Sequence, residues 1–357
     1  MKNVVFWDLE GPLSPMDHAW ETADLFSIQT GGERKSGKEL FSAMSQAIAL
    51  DIENNPQSIF QAGDTLSLLV PFLKYHGVRD IDLRTVSEKA RLVNGAPETI
   101  ATLKKMGAEE FVLSTSYDGT SYVNSTSFIH HADRVGKSAG VDAENIYATH
   151  LDLNSLMLNR TSREKIEIAQ YMILDLKDRP EILATYLTLL ATKTLPDAGY
   201  GNPLEITKVM GGKRKAEKIQ EIMGEDDDYS KVVVVGDSIT DRDMLQLVKD
   251  RGGLAIAFNA NLHALSHANA ALATTDMRDI IPLIQSFWEN GLESAKKFVE
   301  DDASKISISP RKEGPPVAES EKRYHLSWLG PEANLAATEA IHARSRSLVR
   351  GEAARLA

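Results

Sequence analysis

The chain has 357 residues and a mass of 39.3 kDa, a length that predicts about two domains or one domain with a large insertion. With 42% apolar and 25% charged residues it has the balance of a globular protein, which excludes a disordered or fibrous chain. Forty basic against 51 acidic side chains give a formal charge of −11, a field that repels nucleic acid and anionic lipid, and the absence of cysteine excludes disulfides, thiolate metal sites and a cysteine nucleophile and fits a reducing, cytoplasmic setting.

Met1 to Leu9 holds one lysine and an apolar run that stops at Asp8, too short for a signal peptide. The runs Leu66 to Leu73 and Tyr171 to Leu176 fall short of the ~18 residues a membrane span needs, so neither export nor membrane insertion is expected. Val4 to Trp7 reads as a buried strand closed by Asp8 and the Gly11-Pro12 break. From Ala19 to about Arg91 the spacing is helical, with no convincing strand. Pro97 to Met106 reads as a helix, Phe111 to Leu113 as a second strand ending at Ser114, Thr126 to Gly140 as a helix, and Ile146 to Ala148 as a short strand. Ser155 to Pro196 is a long helical stretch split at Pro180. Lys215 to Met223 is helical, and Glu225 to Asp228 is an acidic loop of the solvated kind. Val232 to Val235, ending in Gly236-Asp237, is the clearest parallel strand. Leu254 to Phe258 and Ala271 to Ala273 add two more. Past Pro310 the chain turns to a linker with Pro315-Pro316 and then to an Ala- and Arg-rich tail, read as a partly helical appendage.

The alternation predicts an α/β fold with a three-layer, Rossmann-like parallel sheet. The expected division is a core of residues 1–16 and 92–285 with a helical insertion at about 155–208, a helical cap at 17–91, and a linker and tail at 286–357. In a parallel sheet the carboxyl ends of the strands share one edge, where open α/β folds bind ligands. Asp8 and Glu10, Ser114, and Asp237 and Asp241 all follow strands, and Lys213 or Lys215 offers positive charge. From Lys215 the apolar residues Ile219, Ile222 and Met223 fall at helical spacing, which favours Lys215 on the inner face.

Asp8-Leu9-Glu10-Gly11-Pro12-Leu13, Ser114, Lys213 or Lys215, and Gly236-Asp237-Ser238-Ile239-Thr240-Asp241 resemble, in order and spacing, motifs one to four of the haloacid dehalogenase (HAD) superfamily. The resemblance covers roughly residues 1–282 and is closest to the phosphoserine phosphatase group, whose helical cap follows motif one. It implies a HAD-like core with a cap and a Mg²⁺-dependent phosphatase acting on a small phosphorylated metabolite. Asp8 would be the nucleophile that forms an aspartyl-phosphate, and Glu10 the general acid and base. Asp8, Asp237 and the Glu10 carbonyl would be metal ligands, with Asp241 as ligand or support. Ser114 and the groups after it, at Thr115 and Ser116, would hold phosphoryl oxygens. This chemistry is physically coherent: an Asp carboxylate is a competent nucleophile, and only a cation and a lysine make its approach to an anionic ester tolerable. Glu10 stands where Asp is commoner, as in the enolase-phosphatase branch, and Pro12 stands where Thr is frequent.

Asp17 matches an acidic residue that in phosphoserine phosphatases holds the substrate's amino group; the alternative is a cap for the helix from His18. The Glu-Gly-Pro-Leu form of motif one also resembles a predicted-phosphohydrolase branch assigned in methanogens as subunit R of an energy-converting hydrogenase. A second reading follows from that: an accessory or regulatory subunit that keeps the fold and binds a protein partner, or a second copy, through cap or tail. Dehalogenation is disfavoured by Glu10, Asp237 and Asp241. Gly32 to Lys38 mimics a phosphate-binding loop but has Glu39 where Ser or Thr should follow, and His263, His267 and the pair His130-His131 read as surface or structural residues.

Overall fold

A computed structural model describes residues 2–119, 131–224, 228–303, 324–351 and 354. Residues 126–130 of the helix expected over Thr126 to Gly140, His130 among them, residues 225–227 of the acidic loop, the linker prolines 310, 315 and 316, and tail positions 352, 353 and 355–357 lie outside the described residues. Nine strands are described: β1 (Asn3–Trp7), β2 (Ser27–Thr30), β3 (Glu33–Ser36), β4 (Ala108–Asp118), β5 (Ile146–His150), β6 (Val232–Gly236), β7 (Leu254–Phe258), β8 (Ala270–Ala273) and β9 (His325–Trp328).

Seven of them form one sheet in the order β5-β4-β1-β6-β7-β8-β9, parallel throughout except for β9. Side chains alternate across it. Val5, Trp7, Val112, Val233, Val235 and Ile256 face one helical layer, whereas Val4, Phe6, Phe111, Val232, Val234 and Ala257 face the other. That two-sided burial is why β6 reads as an unbroken valine run rather than an alternation. Each fully buried valine contributes on the order of 1.5–3 kcal/mol, so the middle strands are the rigid base of whatever their ends carry. The α/β, three-layer class expected from the sequence is the one observed. Among the described residues no helix is long and apolar enough to cross a membrane.

Strand order reverses at β1. Trp7 pairs with Val112 on one side and Val235 on the other, so the residues after β1, β4 and β6 emerge side by side, at the position where such sheets bind ligands.

Over that edge sits a helical unit. Helices Gly37–Asn54 and Thr65–Tyr75 from the first inserted stretch share one apolar core with Arg160–Asp175 and Pro180–Leu189 from the second, through Leu40, Met44, Leu69, Phe72, Ile166, Ile173, Leu183 and Leu187. The two insertions therefore stand over the site together. Pro180 opens its helix at the first position, where its missing N–H costs nothing.

Three expectations are corrected. Residues 19–91 do contain strands: β2 and β3 form an antiparallel hairpin about Gly31-Gly32, both at positive φ, the turn that suits the twist of paired strands. Their polar composition concealed the period. The second strand runs past Ser114 to Asp118, with a register shift between Ser114 and Tyr117. Most consequentially, the tail is no appendage. Strand β9 closes the sheet edge against β8, and the helix Leu335–Arg350 packs on the sheet, its His342 Nδ1 accepting from the Ala260 N–H at 2.9 Å.

Candidate active site

Asp8 leaves β1 with its own N–H bonded to the Val235 carbonyl at 2.9 Å, which ties the loop after β1 to β6. The loop turns at Gly11, at φ +124°, where a Cβ would lie 2.4 Å from the Asp237 carboxylate. Gly236 is under the same demand from Asp241. Gly11 is needed because the loop after β1 closes on the loop after β6, and Gly236 because the latter loop folds back on itself at Asp241; only a residue without a Cβ permits either approach.

The convergence is tight. Oxygens of Asp8, Asp237 and Asp241 lie within 4.8 Å of one another, and all three residues are buried. Lys215, fully buried near the start of the helix Lys213–Met223, donates to Asp8 Oδ1 at 2.7 Å and to Asp241 Oδ1 at 2.6 Å. Burial opposes its charge, but Asp241 and Asp8 outweigh that and raise its pKa. Lys213 is exposed. Of the two lysines left open by the sequence, Lys215 is the one that reaches the carboxylates. Asp241 Oδ2 accepts from the Asp237 and Ser238 N–H groups at 2.8 and 3.1 Å, so both its oxygens are engaged and it fixes the loop.

Burial, and next the Asp241 charge, push the Asp8 carboxyl well above the usual range, with Lys215 pulling against them. Glu10 is also buried and likewise raised, by burial first and then by Asp17. Its Oε1 accepts from the His18 N–H at 2.7 Å and its Oε2 from Thr115 Oγ1 at 3.1 Å. Behind it the rings of His18 and His131 stack at 4.3 Å, both with pKa lowered chiefly by burial, so Glu10 backs onto neutral imidazoles.

Ser114 is buried, but its Oγ bonds Ser116 Oγ at 2.6 Å and accepts from the Ser116 N–H. Thr115, not Ser114 or Ser116, lines the cavity over Asp8 and Glu10. That cavity, about 630 Å³ with its mouth included, is walled opposite the carboxylates by Phe41, Ile48 and Ile52 of the helix Gly37–Asn54. Asp17 is the cap of the helix His18–Ala23, accepting from the Trp20 N–H at 2.9 Å, and it also lines the cavity. His263 and His267 lie elsewhere, His263 against Glu53 and His267 against the His263 carbonyl, and Lys38 of the false phosphate loop pairs with Glu21.

Two site residues were missed. Arg346 and Arg350 of the helix Leu335–Arg350 each donate from Nη1 to Asp237 Oδ2 at 2.6 Å. Arg346 also holds the Asp237 main-chain carbonyl at 2.9 Å. A signal was present: Thr338, His342, Arg346 and Arg350 recur every fourth residue and are all buried, a polar stripe on one side of the helix.

The donor set fits a divalent cation. Asp237 Oδ1 is buried with no hydrogen-bond partner among the described residues, and an unpaired buried carboxylate oxygen is costly. With the proton that its raised pKa favours on Glu10, four carboxylates (Asp8, Asp17, Asp237, Asp241) meet three cations (Lys215, Arg346, Arg350), a surplus of one negative charge when those seven are ionised. Hard carboxylate oxygens with such a surplus suit Mg²⁺.

No protein-family model and no curated protein matches the chain. Among solved structures, a gene product of Archaeoglobus fulgidus is similar over 100% of this chain and 99% of its own, at 24% identity and a TM-score of 0.75. A phosphoserine phosphatase, solved as an analogue of its phospho-aspartyl intermediate, aligns with 79% of this chain and 98% of its own at 17% identity and a TM-score of 0.44. A HAD family hydrolase from Salmonella enterica aligns with 72% of this chain and 63% of its own at 12% identity and a TM-score of 0.43. The Archaeoglobus likeness is one of fold, and it extends over the whole chain, tail included.

Proposed function

We propose that this chain is a Mg²⁺-dependent phosphatase of the HAD type that hydrolyses a small phosphate monoester through an aspartyl-phosphate on Asp8. The observation that carries the reading is the shared lysine: Lys215 bridges Asp8 and Asp241 beside the unpaired Asp237 Oδ1, an arrangement that gives a carboxylate nucleophile both an ammonium and a place for a cation.

Asp8 and Asp237, with the Glu10 main-chain carbonyl, would hold the Mg²⁺, and Asp241 would keep the loop in place. Bound there, the ion supplies the positive charge that offsets repulsion between the Asp8 carboxylate and an anionic ester. Lys215 adds a second positive charge, and the Thr115 hydroxyl adds a polar contact at the cavity wall. An Asp8 oxygen attacks phosphorus, the P–O bond to the leaving group breaks, and protonated Glu10 gives its proton to the departing oxygen. Glu10, then ionised, takes a proton from water as that water attacks the phosphoryl-Asp8. Phosphate leaves, and both carboxyl groups return to their starting states. The raised pKa of Glu10 supports the first of these roles, because an acid near neutral pH must keep its proton.

A panel of phosphorylated metabolites assayed for phosphate release with and without Mg²⁺ tests the reading. It predicts Mg²⁺-dependent release that is lost in Asp8→Asn. Unchanged turnover in that variant removes Asp8 from the mechanism, and no release from any ester leaves the accessory-subunit reading.

A further inference from the structure

Arg350 is placed differently from Arg346. Arg346 spends its guanidinium on the protein, on the carboxylate and carbonyl of Asp237 and on the Ala354 carbonyl at 3.1 Å. Arg350 gives Nη1 to Asp237, yet its Nε is buried with no acceptor. Its Nη2 has only Asp17 Oδ2 at 3.7 Å, beyond hydrogen-bond length. Asp17 Oδ1, meanwhile, accepts from the Trp20 N–H. On the side-on edge of the guanidinium, the fork that matches two oxygens of a carboxylate or phosphate, Nε therefore has no acceptor and Nη2 has only the loose ion pair with Asp17. A buried N–H without an acceptor is costly and marks a place where something binds.

The position of Arg350 says what. It lines the cavity that holds Asp8, Glu10 and Thr115, and it also lines a second cavity on the other side of Asp17, whose rim carries Lys89 and Arg91. Those two exposed side chains have no ion pair among the described residues. The wall shared by the two cavities is thus Arg350 beside Asp17, and the second cavity carries Lys38, Lys89 and Arg91 against Glu21 and Asp24.

We infer that Arg350, brought in by the C-terminal helix, is an oxyanion-binding residue of this site, taking one oxygen of the substrate on its unpartnered Nε and a second on Nη2 in place of the 3.7 Å contact with Asp17, while Arg346 holds Asp237. The inference rests on the phosphatase reading for the word substrate, but the anion contact stands on the geometry alone. The two sources of such oxygens are the phosphoryl group itself and a second anionic substituent on the ester, and binding measurements separate them.

Calorimetric titration of the wild type, Arg350→Ala and Arg350→Lys with inorganic phosphate gives the first arm. Titration of the same residue changes in an Asp8→Asn background with glycerol 3-phosphate and 3-phosphoglycerate, which differ by a carboxylate, gives the second. If Arg350 meets the phosphoryl group, Arg350→Ala weakens inorganic phosphate at least tenfold and lysine restores part of the loss. If it meets a second substituent, phosphate affinity holds, while a tenfold or greater preference for 3-phosphoglycerate disappears in Arg350→Ala. Equal affinities of all three ligands with and without the guanidinium overturn the inference. Should Arg350→Ala fail to fold by circular dichroism, hydrogen exchange decides: phosphate in the wild type, or 3-phosphoglycerate but not glycerol 3-phosphate in Asp8→Asn, slows exchange over residues 335–350 if the inference holds, and exchange there that none of these ligands changes overturns it. Binding that depends on Arg350 in a chain that releases no phosphate from any ester would retain the anion site and sink the phosphatase reading, so the two fail separately.

Discussion

Glu10 carries the proton in this account, and its environment sets the pH at which it does so. Burial and the Asp17 charge hold its pKa well above the ordinary 4.5, so the acid form persists toward neutral pH and is lost as pH rises through the raised value. The rate of phosphoryl transfer to Asp8 should therefore fall on the alkaline side of the profile for esters with poor leaving groups. Glu10→Gln should lower kcat for an alkyl phosphate by ~10²–10⁴ and remove that alkaline limb, while an activated aryl phosphate is affected less. A variant with the wild-type profile would take Glu10 out of proton transfer. Gly11 sets a second test at this scale. Gly11→Ala forces a side chain to φ +124° and against Asp237, so it should cost about 1–3 kcal/mol in backbone strain and weaken Mg²⁺ binding by calorimetry. An unaltered affinity contradicts the close approach of the two loops. Asp8, Glu10, Asp237 and Asp241 were legible from sequence because acidic residues after strands can only gather where parallel strand ends share an edge. Which oxygen remains unpaired, and that Thr115 rather than Ser114 lines the cavity, depend on side-chain orientations that no spacing encodes.

At the scale of elements, the helix Leu335–Arg350 is the part that sequence reading understated. An Ala- and Arg-rich stretch after a polar linker looks solvated, because arginine is seldom buried. Here Asp237 pairs with both guanidinium groups and Asp17 faces that of Arg350, partners without which their burial would be forbidden. The hairpin β2–β3 escaped for a related reason: its strands, Ser27–Thr30 and Glu33–Ser36, are mostly polar, and only Gly31-Gly32 announced it. The polar stripe gives a stability prediction. His342 is fully buried and accepts the otherwise unpaired Ala260 N–H, so His342→Ala should destabilise the fold by about 1–3 kcal/mol in urea unfolding. It should also raise hydrogen exchange in residues 335–350. No change in either would mean that the helix is held by other contacts.

For the whole molecule, the sheet was the most legible feature, since the valine run of β6 and the apolar run of β1 have no solvated alternative. The shared core of the two insertions was not, because apolar helix faces do not name their partners. Stability of the whole should carry a mark of buried acids. Glu110 in β4, bonded to Trp7 Nε1, has its pKa pushed up to about 8, chiefly by burial. Its ordinary value is 4.5, so between those pH values the unfolded chain has released a proton that the folded chain keeps. Stability must then fall as pH rises across that window, by about 1.4 kcal/mol per pH unit from this group. Glu110→Gln should flatten the decline in unfolding free energy between pH 5 and 8; a slope equal to the wild type would show Glu110 already ionised in the fold.

The central claim is that a carboxylate at the tip of β1 takes a phosphoryl group, and acid quenching after mixing with a phosphate-labelled ester and Mg²⁺ tests it most directly. The account predicts an acid-stable, hydroxylamine-labile label on the peptide that contains Asp8, absent in Asp8→Asn; multiple turnovers that never label that peptide would contradict it.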